Sequence, residues 1–109
     1  MSSEDAIVTT SPDGIILTWN RGAQALLGYS AEETIGSHIS LLIAPEHHHH
    51  LAPFLEQILQ GKGRSQHEYP VIRKDGRAVS VSIRANSIPN FAGEAVAVAA
   101  IIRDITERK

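Results

Sequence analysis

The stretch from Ala95 to Ile102, Ala-Val-Ala-Val-Ala-Ala-Ile-Ile, narrows most sharply what this chain can fold into. It is apolar on both alternating faces, as in a central strand covered on both sides. The run before it behaves differently. Val79, Val81, Ile83 and Ala85 alternate with Ser80, Ser82, Arg84 and Asn86, so one face is buried and the other wet. Pro89-Asn90-Phe91-Ala92-Gly93 is the loop between the two runs. Glu68 to Lys74 forms a further strand, closed by the turn Lys74-Asp75-Gly76. These three strands make an antiparallel meander.

The first half supplies the rest. Ala6–Thr10 and Ile15–Asn20 are short strands joined by Ser11-Pro12-Asp13-Gly14, where Pro presets φ and Gly permits a positive one. The second strand is expected to place Ile15, Leu17 and Trp19 on one face. Asn20 then caps a short helix with Ala23, Leu26 and Leu27 on its apolar stripe and Gly28 at its end. Ser30 and Glu33 have the spacing of a capping box, and Gly36 stops that second helix. Leu51, Phe54, Leu55, Ile58 and Leu59 mark one face of a longer helix over about residues 50–60. His47–His49 form an irregular lead-in, Pro53 falls in the tolerated first turn, and Gly61 and Gly63 end the helix. The order implies an α+β fold, a five-stranded antiparallel sheet with helices on one face.

Composition excludes several classes of function. With 109 residues there is room for one domain, and a net charge of −2 gives no general attraction to nucleic acid or anionic membrane. The chain has no cysteine, which removes disulfides, thiolate metal sites, thiol nucleophiles and cysteine-linked chromophores. No apolar run approaches the roughly 20 residues that span a bilayer, and the N-terminus lacks the pattern of a signal peptide. A cytoplasmic location without direct membrane contact is expected. No nucleophile elbow, phosphate-cradling loop or H-E-x-x-H occurs, so no catalytic residue is assigned.

Trp19-Asn20-Arg21-Gly22-Ala23, Leu27-Gly28-Tyr29-Ser30 and Glu32-Glu33-Thr34-Ile35-Gly36 resemble the first half of a PAS domain. Arg73-Lys74-Asp75-Gly76 and Arg103-Asp104-Ile105-Thr106-Glu107-Arg108 resemble its second half, in the right order over nearly the whole chain. The resemblance implies strand order 2-1-5-4-3 around a ligand cavity, with a domain core over about 5–106 and residues 107–109 opening a linker. It also implies the sensory input of a histidine kinase of a two-component system, a cyclic-dinucleotide enzyme or a transcription regulator. An output domain would then follow in the full-length protein.

Three functional readings follow. The first is a sensor binding a small molecule or cofactor in a pocket lined by Leu26, Ile43, Leu51, Phe54, Leu55, Ile58, Val81, Ile83 and Asn86. The resemblance offers haem as one cofactor, with His50 on the helix and His67 on the strand as candidate ligands. Non-covalent flavin is another, with Trp19 stacking near the ring and Asn86 bonding to it. The second reading is a ligand-free dimerisation and relay module. The third is a metal-binding module built on His47–His50. Asn20 and Asp104 have structural roles, Asp104 bonding backbone N–H groups or the Thr106 hydroxyl. Glu33 and Lys74 resemble the family's frequent surface ion pair. The last strand is apolar on both faces while helices cover only one. A homodimer through the outer sheet face is therefore expected, using either Ala95, Ala97, Ala99 and Ile101 or Val96, Val98, Ala100 and Ile102.

Overall fold

The computed structural model describes residues 5–60 and 67–105. In chain order it contains strand β1 (Ala6–Thr10), strand β2 (Ile16–Trp19), helix α1 (Arg21–Leu27) and helix α2 (Ala31–Thr34). Two 3₁₀ turns follow, Ile39–Leu42 and Pro45–His50, and the second runs directly into helix α3 (Leu51–Leu59). Strands β3 (His67–Ile72), β4 (Ala78–Pro89) and β5 (Ala95–Asp104) complete the sheet. Its order is β2-β1-β5-β4-β3 and every pairing is antiparallel, as expected.

The apolar run lies at the centre. Ala100 sits between Val8 of β1 and Ala85 of β4, and Ile101 sits between Ile7 and Arg84. Strict alternation then decides the two faces of β5. Val98, Ala100 and Ile102 point inward under the helices, while Ala97, Ala99 and Ile101 point outward, with Val98 3% and Ile101 38% exposed. Of the two sets offered by the sequence, the odd-numbered one therefore forms the outer face, while Val96 of the other set is exposed too, left unpaired where the register shifts between Ile88 and Pro89. Pro70 lies in β3, an edge strand, where a missing backbone donor is tolerated.

The first hairpin departs from the expected alternation. Ile16 and Trp19 are buried and Leu17 is exposed, instead of Ile15, Leu17 and Trp19 sharing a face. The register explains this. Thr9 faces Thr18 but Thr10 faces Ile16, so Leu17 is an extra residue in a β-bulge and the pattern is reset across it. On the outer face Thr9 Oγ1 and Thr18 Oγ1 are hydrogen-bonded at 2.6 Å.

The helices begin where the sequence placed them. Asn20 Oδ1 accepts from Ala23 N at 2.9 Å, and Ser30 and Glu33 form a complete capping box. Asn20 does more than cap. The same Oδ1 accepts from Ile7 N at 2.9 Å, and its Nδ2 donates to the Asp5 carbonyl at 2.9 Å, tying β1 to the start of α1. Gly28 ends α1 with φ at 85°, and a Cβ there would lie 3.3 Å from Lys74 Cβ. That close approach brings Lys74 N within 2.9 Å of the Leu27 carbonyl, clipping the β3–β4 turn to α1. Pro53 is third in α3, within the permitted first turn. The expected stop at Gly61 and Gly63, the Thr106 hydroxyl and the linker at 107–109 lie outside the described residues.

α1 packs on β1, and α3 lies across β4 and β5. Ile58 of α3, 1% exposed, joins Ile16, Leu27, Leu42, Val8 and Val81 in the core. Each such side chain contributes roughly 1.5–3 kcal/mol through its burial. Where β1 begins and β5 ends, Arg103 Nη2 meets Asp5 Oδ2 at 3.2 Å, joining the two ends of the described chain.

Candidate ligand cavity

Between α3, the 3₁₀ turns and the inner sheet face lies a cavity of about 320 Å³. Most protein interiors are filled to crystal-like density, so a hollow of this size, partly open to solvent, stands out in the inner layer of the fold. The sheet contributes Ala85, Val98 and Ala100, whose small side chains leave the space open. Leu42, Ile43, Leu51 and Leu55 form the opposite wall.

Of the residues named from the sequence, Ile43, Leu51, Phe54, Leu55 and Ile83 line this cavity. Ile58 and Val81 are buried in the packed core beside it. Leu26 borders a separate cleft with Asp5, Gly22 and Arg103, because its side of α1 faces the β1 end of the sheet. Asn86 is misplaced in the sequence reading. It pairs with Ala99 on the outer face and is exposed, one residue out of phase with the inward Ala85. Trp19 is buried against α1, its Nε1 donating to the Tyr29 carbonyl at 2.9 Å, and does not border the cavity. The two residues proposed to hold a flavin are therefore not in position for one.

The histidines divide among different tasks. His50 and His67 both reach the cavity wall where α3 faces the edge strand β3. His50 Nδ1 and Tyr69 Oη are hydrogen-bonded at 2.8 Å, and Phe54 meets His67 edge-on with ring centroids 5.3 Å apart. His50 and Phe54 are one helical turn apart, and His67 and Tyr69 are two apart on one strand face, so helix and strand periodicities bring the two ring pairs into line. A haem macrocycle is larger than this cavity, so its volume does not fit the group that the histidines suggested. His48 Nε2 donates to the Ile43 carbonyl at 2.7 Å, fixing the turn ahead of α3. His38, which the sequence reading passed over, donates from Nε2 to the Asp13 carbonyl at 2.9 Å while its Nδ1 accepts from Ser40 N. No pattern in the neighbouring residues announces that latch. Among the described residues no group of three or more His, Cys, Asp or Glu is arranged to hold a metal ion.

Away from the cavity, Lys74 Nζ pairs with Glu33 Oε2 as expected. The Lys74 ammonium, helped by the Ser30 backbone N–H, holds the Glu33 carboxyl below its ordinary range. Asp104 ends β5 opposite Val81, and Ile105 N continues the ladder to the Ser80 carbonyl at 3.1 Å.

A five-stranded sheet in this order, with short helices arched over one face and a cavity beneath them, defines a class of sensory signalling modules. The PAS family, described as the PAS fold, matches residues 2–105. The chain belongs to the PAS family. It is 39% identical over 106 residues to two-component system protein A of Emericella nidulans, covering 95% of this chain and 15% of that protein. It is 25% identical to the signal transduction histidine-protein kinase AtoS of Escherichia coli, covering 99% of this chain and 17% of that protein. The chain thus spans about one-sixth of these relatives' length. Among solved structures, the PAS domain of a protein from Colwellia psychrerythraea superposes with a TM-score of 0.88 at 32% identity, over 95% of this chain and 88% of that one. PAS domains are generally sensory, non-catalytic units. No described helix is long and apolar enough to cross a membrane.

Proposed function

We propose that this chain is the input module of a longer signalling protein and binds a small molecule in the cavity beneath α3. The observation that carries this reading is the cavity itself, about 320 Å³ in an otherwise closely packed core. That volume is at the lower end of the range for ligand pockets, roughly 300–1,000 Å³. β5 contributes Val98, Ala100 and Ile102 to the cavity wall and Ala97, Ala99 and Ile101 to the opposite face. A ligand that shifts β5 is thereby felt on the outer face and at the strand's end, provided it binds the two positions with different affinity. The names of the relatives support a two-component output, with a kinase domain as the receiving partner.

The outer face supports a homodimer. Ile7 and Ile101 face each other across β1 and β5, Ile88 faces Ala97, and all three isoleucines are exposed. Closure by two-fold symmetry buries such a patch against itself. Sedimentation velocity over a concentration series tests this, and a strictly monomeric profile at high micromolar concentration refutes it. Native mass spectrometry of protein purified without an affinity tag tests the ligand. A small-molecule adduct is expected, and it is lost when Ala100→Phe fills the cavity. Bare protein, with unchanged stability in Ala100→Phe, refutes the occupied cavity.

A further inference from the structure

The cavity wall carries a chemical bias that selects among ligands. Among the described residues it holds no aspartate, glutamate, lysine or arginine. Most of it is aliphatic, and its hydrogen-bonding groups gather at one place, where His50, Gln57, His67 and Tyr69 border the gap between α3 and β3. Thr10 lies elsewhere, its hydroxyl already donating to the Ser11 carbonyl at 2.9 Å. The only basic side chains of the wall, among the described residues, are thus two imidazoles, those of His50 and His67. The acids of the same segments, Glu46 beside the histidine run, Glu56 on α3 and Glu68 on the far face of β3, are exposed and do not line the cavity.

A ligand with a cationic head would find no carboxylate at this end to receive it. A polyanion such as a phosphorylated compound would meet two imidazoles and no lysine or arginine, too little for its charge. One negative charge matches what is there. His50 Nδ1 is already engaged by Tyr69 Oη at 2.8 Å, so Nε2 is the His50 ring nitrogen left for a ligand. The His67 ring and the Gln57 amide offer further N–H groups. Such donors hold a carboxylate by charge-assisted hydrogen bonds. The volume limits the rest: at ~30 Å³ per water-sized unit the cavity holds about ten of them.

Resting on the reading of the cavity as a ligand site, we propose that it takes a small monocarboxylate. The carboxylate sits at the His50–His67–Tyr69 end, and the apolar body lies among Leu42, Leu55 and Val98. The test is calorimetric titration with octanoate, octanol and octylamine as probes. Octanoate binds saturably, octanol binds about tenfold more weakly, and octylamine does not bind. His67→Ala and Tyr69→Phe each weaken octanoate severalfold and leave octanol unchanged, a split that loss of structure would not produce. Equal affinity for octanol and octanoate, or binding of octylamine, overturns the carboxylate while leaving the cavity as a ligand site. No saturable heat with either octanoate or octanol overturns both.

Discussion

Removal of the Asn20 side chain tests how this fold is held at its N-terminal end. Three hydrogen bonds converge on it: Oδ1 accepts from Ala23 N and Ile7 N, and Nδ2 donates to the Asp5 carbonyl, each at 2.9 Å. The helix cap alone is worth about 1 kcal/mol. The other two bonds link segments far apart in sequence, and their groups become accessible to water once freed, so each adds about 0.5–1 kcal/mol. Asn20→Ala is therefore expected to cost about 2–3 kcal/mol. Ser30→Ala is the internal control. It removes one exposed cap bond, to Glu33 N at 3.2 Å, and should cost about 1 kcal/mol. Asn20→Asp keeps the acceptor for Ala23 N and Ile7 N but sets a carboxylate oxygen against the Asp5 carbonyl, so it too is destabilising. Urea unfolding followed by far-ultraviolet circular dichroism gives all three values if the transitions share one slope. At about 4 °C per kcal/mol the Tm of Asn20→Ala should drop roughly 10 °C. If Asn20→Ala is no more harmful than Ser30→Ala, the ties to β1 and Asp5 contribute nothing and the reasoning fails.

Three further outcomes are expected. Val98→Glu should prevent folding, because it places a carboxylate beneath α3, whereas Ile101→Glu should fold normally and abolish the outer-face dimer in sedimentation; the reverse result would invert the assignment of faces. Glu33 is held below its ordinary pKa chiefly by Lys74, so its stabilising contribution is fully present above the unfolded carboxylate pKa and is lost as pH falls through the lowered folded value. Glu33→Gln should accordingly flatten the acid limb of a stability–pH curve, and an unchanged limb would contradict the pairing. Gly28→Ala should cost about 1–2 kcal/mol through its positive φ, and more than Gly93→Ala, whose φ is also positive but whose Cβ would meet nothing within 4 Å; equal costs in thermal melts would show that the approach to Lys74 is not tight.

The sheet was legible because its signals are local and periodic. The unbroken run Ala95–Ile102, the alternation around Ser80 and Ser82, and the caps at Asn20 and Ser30 each follow from a few neighbouring residues. What failed was phase. One inserted residue at Leu17 reversed the expected face of β2, and a single position separates Asn86 on the wet side from Ala85 on the cavity side. Half the pocket was visible because α3 and β4 show a clear apolar face. The small residues of the last strand, Ala100 among them, already hinted at space, but the deep lining from Thr10 and Leu42 comes from elements that meet only in three dimensions. The His38 latch and the second and third bonds of Asn20 were invisible for the same reason, since each partner is a backbone group distant in sequence.

The ion pair between Asp5 and Arg103 has a consequence for how such a unit is inherited. The chain enters the fold and leaves it at one spot, on neighbouring antiparallel strands where Ala6 faces Ile102. A unit whose ends meet can be spliced into a longer polypeptide as a side loop, with little change in the spacing of whatever flanks it. Its replacement by another of the same plan leaves the flanking register intact, so the choice of stimulus becomes separable from the choice of response. Tension applied through either flank also falls first on the same pair of strands, one of which forms part of the ligand's wall.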